Sequence, residues 1–119
     1  MKNLSYLAIP YSHPDKDIRD FRFHTANIVA AKLMCNGKLI YSPISHTHPI
    51  SRAGKLPTDW NYWETHNRFF LHLAKELIVI TLPGWKESKG VSAEISIATE
   101  LNIPIKYFNF PVDLNKCSG

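Results

Sequence analysis

The stretch Glu76–Leu82, which reads Glu-Leu-Ile-Val-Ile-Thr-Leu, decides the fold class of this chain. It is a short, continuous apolar run rich in β-branched residues, and Pro83-Gly84 breaks it. A run of this kind predicts a strand buried on both faces, as in a parallel sheet covered by helices. Helical patterns lie before and after it, so we expect strands and helices to alternate along the chain.

The other predicted elements follow from periodicity, caps and breakers. The strands are Leu4–Ile9, Lys38–Ser42 and Ile105–Phe108; the helices run from Asp15 or Asp17 to about Asn36, from Asp59 to Ala74, and from Ser88 to about Asn102. Gly37 supplies a left-handed stop for the first helix, on whose inward face we place Ile18, Phe21, Thr25, Ile28 and Val29. Residues 43–59, with three prolines, are predicted to be a long irregular functional loop, and residues 109–119 a tail.

This order predicts an α/β protein with one domain over residues 1–119 and a mostly parallel sheet covered by helices on both sides. Right-handed crossovers favour the strand order 2-1-3-4, with room for an extra strand at an edge. The winding then reverses between the first and third strands, where open α/β sheets bind ligands. Pro10, Tyr11, Ser12 and His13 are expected on one lip of the resulting cleft, and residues 83–90 on the other.

Composition narrows the setting of the chain. A net charge of +4 is mild and its Lys and Arg residues are scattered, so a nucleic-acid surface has no support and a small anionic ligand fits equally well. No apolar run approaches the ~20 residues that span a bilayer, so no membrane partner is expected. Cys35 and Cys117 are predicted to be free thiols in a reducing cytoplasm.

Glu94 occupies an unusual place for a carboxylate. On a helical wheel it shares the inward face with Val91, Ile95, Ala98 and Leu101. A buried carboxylate is costly unless it is paired, hydrogen-bonded or functional. Glu94 is therefore a candidate nucleophile or general base; the alternative is a structural carboxylate stabilised by the helix N-terminus.

Two neighbours could complete a site around Glu94. The helix N-terminus at Ser88 and Gly90, with Lys86 or Lys89 nearby, suits phosphate or another anion. The alternative is that Ser88 is a plain N-cap and Gly90 a turn residue. Tyr6, at the centre of the first strand, could orient the carboxylate with its hydroxyl, or it could be a core tyrosine.

Aromatic residues and histidines supply further candidates. Trp60, Trp63 and Trp85 lie beside the predicted cleft and could stack on a nucleobase or pack in the core. His46, His48 and His13 lack a cysteine or carboxylate at ligand spacing, so substrate contacts or structural roles are favoured over a metal. No metal and no cofactor are predicted. His24, His66 and His72 are expected on helix surfaces or in packing.

Four segments carry a resemblance that covers nearly the whole chain to about residue 108: Tyr6–Pro14 (YLAIPYSHP), Tyr41–Ile50 (YSPISHTHPI), Asp59–Trp63 (DWNYW) and Leu82–Ile95 (LPGWKESKGVSAEI). Together they resemble a family of short bacterial and phage proteins of unknown function related to the nucleoside 2-deoxyribosyltransferases and nucleotide N-glycosidases. The resemblance implies a flavodoxin-like, Rossmann-like three-layer sandwich that is usually a homo-oligomer.

The resemblance also implies roles for individual residues. Glu94 matches the nucleophile that attacks the anomeric carbon, and Tyr6 matches the tyrosine that hydrogen-bonds it. Ser88 stands where the deoxyribosyltransferases have an aspartate and the 5′-monophosphate N-glycosidases a serine, which favours a phosphorylated substrate. Asn67 or Arg68 stands where the superfamily often has the aspartate that protonates the leaving base, so Asp59, Glu64, His46 or His13 would have to replace it.

The predicted function is cleavage or exchange of the N-glycosidic bond of a small nucleoside 5′-monophosphate, through a covalent glycosyl-glutamate. The candidate catalytic residues are Glu94 and Tyr6; the candidate substrate-binding residues are Pro10, Tyr11, Ser12, His13, His46, Asp59, Trp60, Trp63, Trp85, Ser88 and Gly90. One alternative is a non-catalytic nucleotide-binding or sensing module with the same cleft. Another is a metal-dependent hydrolase using the three histidines named above.

Overall fold

A computed structural model describes residues 2–111, and these form a four-stranded parallel sheet with helices on both faces. The strand order is β2-β1-β3-β4, which confirms the predicted α/β class and topology. The elements are β1 (Leu4–Ala8), α1 (Lys16–Cys35), β2 (Leu39–Tyr41), α2 (Pro43–Gly54), α3 (Trp60–Leu73), β3 (Ala74–Ile80), α4 (Lys89–Glu100) and β4 (Ile105–Phe108).

The two central strands separate two hydrophobic cores. Successive side chains of a strand point to opposite faces, so Ile78 and Ile80 of β3 pack on one side and Leu77 and Val79 on the other. The first core is completed mainly by α1 and α2, the second by α3 and α4. The prediction that this strand is buried on both faces is confirmed. Tyr6 of β1 belongs to the second core and therefore faces α4.

The stretch predicted to be irregular contains helix α2 instead, so that prediction is wrong. Pro43 is tolerated because it lies at the start of the helix, where its missing N–H has no partner in any case. Ile44, Thr47, His48 and Ser51 are buried, and their spacing is helical. Burial of that face outweighs the cost of Pro49 inside the helix.

Helix α1 is rotated relative to the face predicted for it. Thr25 and Val29 are buried as expected, but Phe21 is 57% and Ile28 50% exposed. The small residues Ala26 and Ala30, together with Leu33, form the rest of the buried stripe, which lets the helix lie close to the sheet. The capping predictions are confirmed, with Asp15 as N-cap and Gly37 at φ +87°.

The predicted free thiols and the predicted tail lie partly outside the described residues. Cys35 is disulfide-bonded, so the prediction of a free thiol is wrong at that position, and the one for Cys117 lies outside the described residues. Of the predicted tail, residues 112–119 also lie outside them. Within residues 2–111 no helix is both long enough and apolar enough to cross a membrane.

A buried carboxylate, Glu76, links the four strands near their amino-terminal ends, at the end of the sheet opposite the central strands' ligand-binding end. Glu76 of β3 accepts hydrogen bonds from Ser5 of β1, from Lys38 beside β2 and from Lys106 of β4, the two lysine distances being 2.9 Å each. Although burial acts in the opposite direction, these three donors together lower the pKa of Glu76 to about 2. One side chain thus links all four strands.

We expect Glu76→Gln to destabilise the fold by about 1–3 kcal/mol at pH 7, because it removes the charge that two lysines face. The pKa of Glu76 falls from 4.5 to about 2 on folding, so its contribution is present above pH 4.5 and is lost as the pH falls through 2. Urea unfolding of both proteins checks this. Their stability difference should shrink between pH 5 and pH 2, and a constant difference would contradict the linkage.

Candidate active site

One cleft opens at the carboxyl ends of β1 and β3, where the sheet reverses its winding. Its empty volume is about 480 Å³, a value that includes space open to solvent. We call it the central cleft; its lining residues are Ile9, Tyr11, Ser12, Pro43, Ile44, Thr47, Thr58, Asp59, Trp60, Trp63, Asn67, Ser88, Gly90 and Glu94.

Glu94 lies in the wall of the central cleft and is hydrogen-bonded to Tyr6. The Tyr6 hydroxyl donates to Oε2 of Glu94, and the two residues are 0% and 5% exposed. Burial raises the pKa of Glu94 to about 8, and the hydrogen bond from Tyr6 opposes part of that rise. Burial, followed by the adjacent carboxylate, raises the pKa of Tyr6 well above its ordinary value, so the phenol remains a donor.

Tyr6 is held in place by an aromatic stack. Tyr41 contacts Tyr6 with ring centroids 5.7 Å apart and stacks on Phe70 at 4.0 Å. The hydroxyl of Tyr41 is 3.1 Å from Nε2 of His66, and His46 stacks on His66 at 5.1 Å. Two of the predicted histidines thus belong to a packing cluster behind the cleft. His46 is exposed and does not line the cleft.

Ser88 and Gly90 stand where the first turn of α4 meets the cleft. Ser88 is the N-cap, its hydroxyl accepting a hydrogen bond from the N–H of Val91 at 3.2 Å. Gly90 lies inside the helix, without the positive φ that would require a glycine, so its interpretation as a turn residue is wrong. A Cβ at Gly90 would meet the Trp60 ring at 3.7 Å, which is ordinary contact. Both residues expose the helix N-terminus to the cleft.

A second pocket adjoins the central cleft and shares Ser12 and Ser88 with it. This outer pocket, of about 740 Å³ including open solvent, is also lined by His13, Arg22, Pro83, Gly84 and Glu87. Arg22 of α1 donates to the carbonyl oxygens of Tyr11 and Ser12 at 3.3 and 3.1 Å. It also reaches the Pro83 carbonyl at 3.5 Å, so it joins the two lips of the cleft.

The sequence did not predict that Arg22 contacts the cleft, because this residue lies in the middle of α1, far along the chain from residues 83–90 of the second lip. A signal is nevertheless present at Gly84, which has φ +92°. A Cβ there would lie 2.9 Å from Nη2 of Arg22. The Pro-Gly break therefore both turns the chain and leaves room for the guanidinium.

The start of α3 brings two tryptophans and an acid to the central cleft. Asp59 is the N-cap, but its side chain makes no capping hydrogen bond, so its carboxylate is available to other partners. Trp63 donates from Nε1 to the carbonyl of Pro57 at 2.9 Å, which fixes its ring. Trp60 is partly buried against the second core while it lines the cleft. Two of the three tryptophans expected beside the cleft therefore line it.

Besides His46, three of the predicted contact residues lie elsewhere or only nearby. Pro10 is fully buried beyond the end of β1. Trp85 packs on Tyr107, with ring centroids 5.6 Å apart, and does not line the central cleft. His13 lines the outer pocket, and its Nδ1 accepts a hydrogen bond from the N–H of Asp15 at 3.0 Å.

His48 takes part in a separate polar contact. Its Nδ1 is 2.5 Å from the hydroxyl of Tyr11 and its Nε2 is 3.3 Å from Asp20. Burial lowers the pKa of His48, so the neutral imidazole is favoured. Within residues 2–111 no group of three His, Cys, Asp or Glu side chains could hold a metal ion. His48 positions Tyr11 at the cleft rim.

Asn67, which the resemblance gave only as one of two positions for the missing acid, lines the central cleft. It is 6% exposed, and its Oδ1 has no hydrogen-bond partner among the described residues. Buried polar atoms are nearly always paired, so an exception needs an explanation. The sequence places Trp60, Trp63 and Asn67 at i, i+3 and i+7, which is one helical face, and all three line the cleft.

These features define a flavodoxin-like α/β protein with a buried carboxyl–tyrosine pair at the switch point of its sheet. The chain belongs to the family described as a domain of unknown function, DUF1937, whose model matches residues 3–109. No curated protein matches the chain significantly.

Proposed function

We propose that the protein cleaves or exchanges the N-glycosidic bond of a small nucleoside 5′-monophosphate through a covalent glycosyl-Glu94 intermediate. The observation that carries the proposal is the buried Glu94 carboxyl, held by the Tyr6 hydroxyl in the wall of the central cleft. Carboxylates stabilise developing oxocarbenium charge and form glycosyl esters that can be opened again. The motif resemblance to the nucleoside 2-deoxyribosyltransferases points to the same chemistry.

The reaction divides into two displacements at the anomeric carbon. An oxygen of ionised Glu94 forms a bond to C1′ while the bond from C1′ to the base nitrogen breaks, and its electron pair leaves with the base. Tyr6 keeps its proton and holds the other carboxylate oxygen, which fixes the direction of attack. Water or a second base then attacks C1′ and releases Glu94.

The two adjoining pockets suit the two ends of such a substrate. The outer pocket has a guanidinium from Arg22 and borders the N-terminus of α4, and both favour a phosphate. The central cleft is lined by Trp60 and Trp63, aromatic side chains of the kind on which a base can stack. Ser12 and Ser88 lie in both pockets, which is where the sugar would join the two ends.

Incubation of the protein with nucleotides, followed by chromatography for free base, tests the proposal. The panel comprises nucleoside 5′-monophosphates, the matching nucleosides, a pyridine nucleotide and nucleotide sugars. We expect base release from a monophosphate, with kcat/KM rising with pH through about 8, because Glu94 attacks only when ionised. Absence of base release across the whole panel would contradict the proposal.

The alternative is a nucleotide-binding module without turnover. It is favoured by the raised pKa of Glu94, which keeps the free protein's carboxyl largely neutral near pH 7. Binding of a monophosphate without base release at any pH from 6 to 9 would establish this alternative.

Assembly into a homo-oligomer stays a prediction.

We expect Ser88→Asp to reverse a preference for 5′-phosphorylated substrates. Asp is as good an N-cap as Ser, so α4 should be retained. Its carboxylate would repel a phosphate at the helix N-terminus, and kcat/KM for the monophosphate should fall about tenfold or more. Ser92→Asp, an exposed change on the same helix, is the control. An unchanged ratio of monophosphate to nucleoside activity would place the phosphate elsewhere.

A further inference from the structure

The central cleft is lined by acidic side chains and by no basic side chain of the described residues, although the chain as a whole is basic. The protein carries a net charge of +4, yet among the described residues the charged side chains lining the cleft are Asp59 and Glu94, both acids. No Lys, Arg or His from the described part of the chain lines it. Trp60 and Trp63 add two aromatic rings, whose negative faces attract cations. The cleft is therefore suited to a ring that carries positive charge.

Asn67 adds a neutral recognition group to the same wall. Its buried Oδ1 is an acceptor without a partner among the described residues, and an asparagine amide also offers two N–H donors. A partner with a donor and an acceptor side by side would satisfy both ends, as a carboxamide does. An amide cannot, however, give a proton to a leaving group.

Protonation of the leaving group therefore discriminates between substrate classes. A purine or pyrimidine nitrogen leaves as an anion unless an acid protonates the base. Among the described acids lining the cleft, Glu94 is required as the nucleophile, so a purine or pyrimidine would depend for this proton on Asp59, which is exposed at the start of α3. A pyridinium nitrogen is already positive and leaves neutral without any proton.

We infer that the site takes a 5′-mononucleotide whose base is a carboxamide-substituted pyridinium ring, with Asn67 bound to the carboxamide and Trp60 and Trp63 beside the cationic ring. This inference rests on the proposed function and specifies its substrate class. Asn67 is then the residue that determines which ring substituent is accepted.

The chemical step balances without an acid. A carboxylate oxygen of Glu94 bonds to C1′, the bond between C1′ and the ring nitrogen breaks, and its electron pair neutralises the pyridinium. The neutral carboxamide pyridine departs. Water then attacks C1′, the Glu94 carboxylate is released, and the products are a sugar 5-phosphate and one proton.

The test compares nicotinamide mononucleotide with its carboxylate analogue, nicotinic acid mononucleotide, and with AMP, CMP, GMP and UMP. For the wild-type protein we expect kcat/KM for nicotinamide mononucleotide to exceed each of the others about tenfold or more, because the Asn67 oxygen cannot accept a hydrogen bond from a carboxylate. In Asn67→Ala the ratio of carboxamide to carboxylate activity should fall to within about threefold. Asn61→Ala, an exposed asparagine of α3, should leave that ratio unchanged.

Three outcomes separate this inference from the proposed function. Release of a purine or pyrimidine as fast as nicotinamide, abolished by Glu94→Gln, would overturn the inference and leave the proposed function intact. If Asn67→Ala lost activity equally on both pyridine nucleotides, Asn67 would have only a structural role, and the inference would again be overturned. If no nucleotide loses its base, the proposed function fails and the inference with it. Should Asn67→Ala not fold, the wild-type preferences alone decide.

Discussion

Glu94→Gln is expected to reduce base release by about 10³-fold or more at every pH from 6 to 9, because the amide cannot form and release a glycosyl ester. The substitution keeps the size of the side chain and can still accept the hydrogen bond from Tyr6. Chromatographic measurement of free base checks the loss. Glu100→Gln, an exposed change in the last turn of the same helix, should retain wild-type activity.

The Glu94→Gln variant should also be more stable than the wild type, and this difference in the free energy of unfolding should grow as the pH rises. Burial raises the pKa of Glu94 from 4.5 to about 8 on folding, so the native state binds more protons than the unfolded chain between these values. Stability due to this residue is therefore lost as the pH rises from 4.5 through 8. Glutamine does not titrate, and its advantage over the wild type should grow across this range.

Urea unfolding at pH 5 and pH 8.5 measures this advantage. Equal stability of the two proteins at pH 8.5 would mean that burial does not raise the pKa of Glu94 in the folded protein. Loss of stability in the variant at both pH values would point to a structural carboxylate rather than a strained functional one. A gain in stability with a loss of activity is typical of an active-site group.

Tyr6→Phe is expected to lower base release about 10- to 100-fold at pH 7. The hydrogen bond from Tyr6 lowers the pKa of Glu94 against the effect of burial, so its removal leaves less of the ionised nucleophile. The midpoint of the pH profile of kcat/KM should move upward from about 8. This shift distinguishes Tyr6 from a residue that only packs.

Tyr107→Phe is the matched control, because Tyr107 is half exposed on β4 and contacts Trp85. It should change neither the rate nor the pH profile. A Tyr6→Phe protein with lowered activity and an unmoved pH midpoint would show that the hydroxyl does not tune Glu94. Circular dichroism of both variants checks that the fold is retained.

Much of the fold was predictable because its strongest signals are local. The apolar run of β3 and the breakers around it define the central strand, and the alternation of elements then leaves few topologies. The hydrogen bond between Tyr6 and Glu94 was implied by the resemblance, and the topology allows it because a switch point brings β1 and the helix after β3 to the same end of the sheet. Here topology converts distant positions into neighbours.

Helix α2 shows where local signals mislead. Three prolines in residues 43–59 suggest an irregular loop, but one of them starts the helix, and only Pro49 lies inside it away from the start. The buried face of Ile44, Thr47, His48 and Ser51 decides the conformation. The periodicity was readable from the sequence, whereas the depth of its burial depends on α1 and β1.

Arg22 and Asn67 mark a second limit of the sequence. Each lies within an ordinary helical pattern, and nothing local distinguishes a guanidinium that joins two lips from one in solvent. The role of Arg22 depends on its hydrogen bonds to the carbonyl oxygens of residues 11, 12 and 83. The role of Asn67 depends on a buried Oδ1 that has no partner among the described residues. Such properties need tertiary structure.

The central claim, covalent capture of a sugar by Glu94, is tested most directly by trapping the intermediate. A 2-fluoro sugar analogue of the nucleotide that loses its base fastest slows the second displacement, because fluorine destabilises the oxocarbenium-like transition state. Mass spectrometry of the digested protein should then find the fluorinated sugar phosphate on the peptide that contains Glu94, and no adduct in Glu94→Gln. Release of the base with an adduct on another residue, or with none on Glu94, would contradict the account.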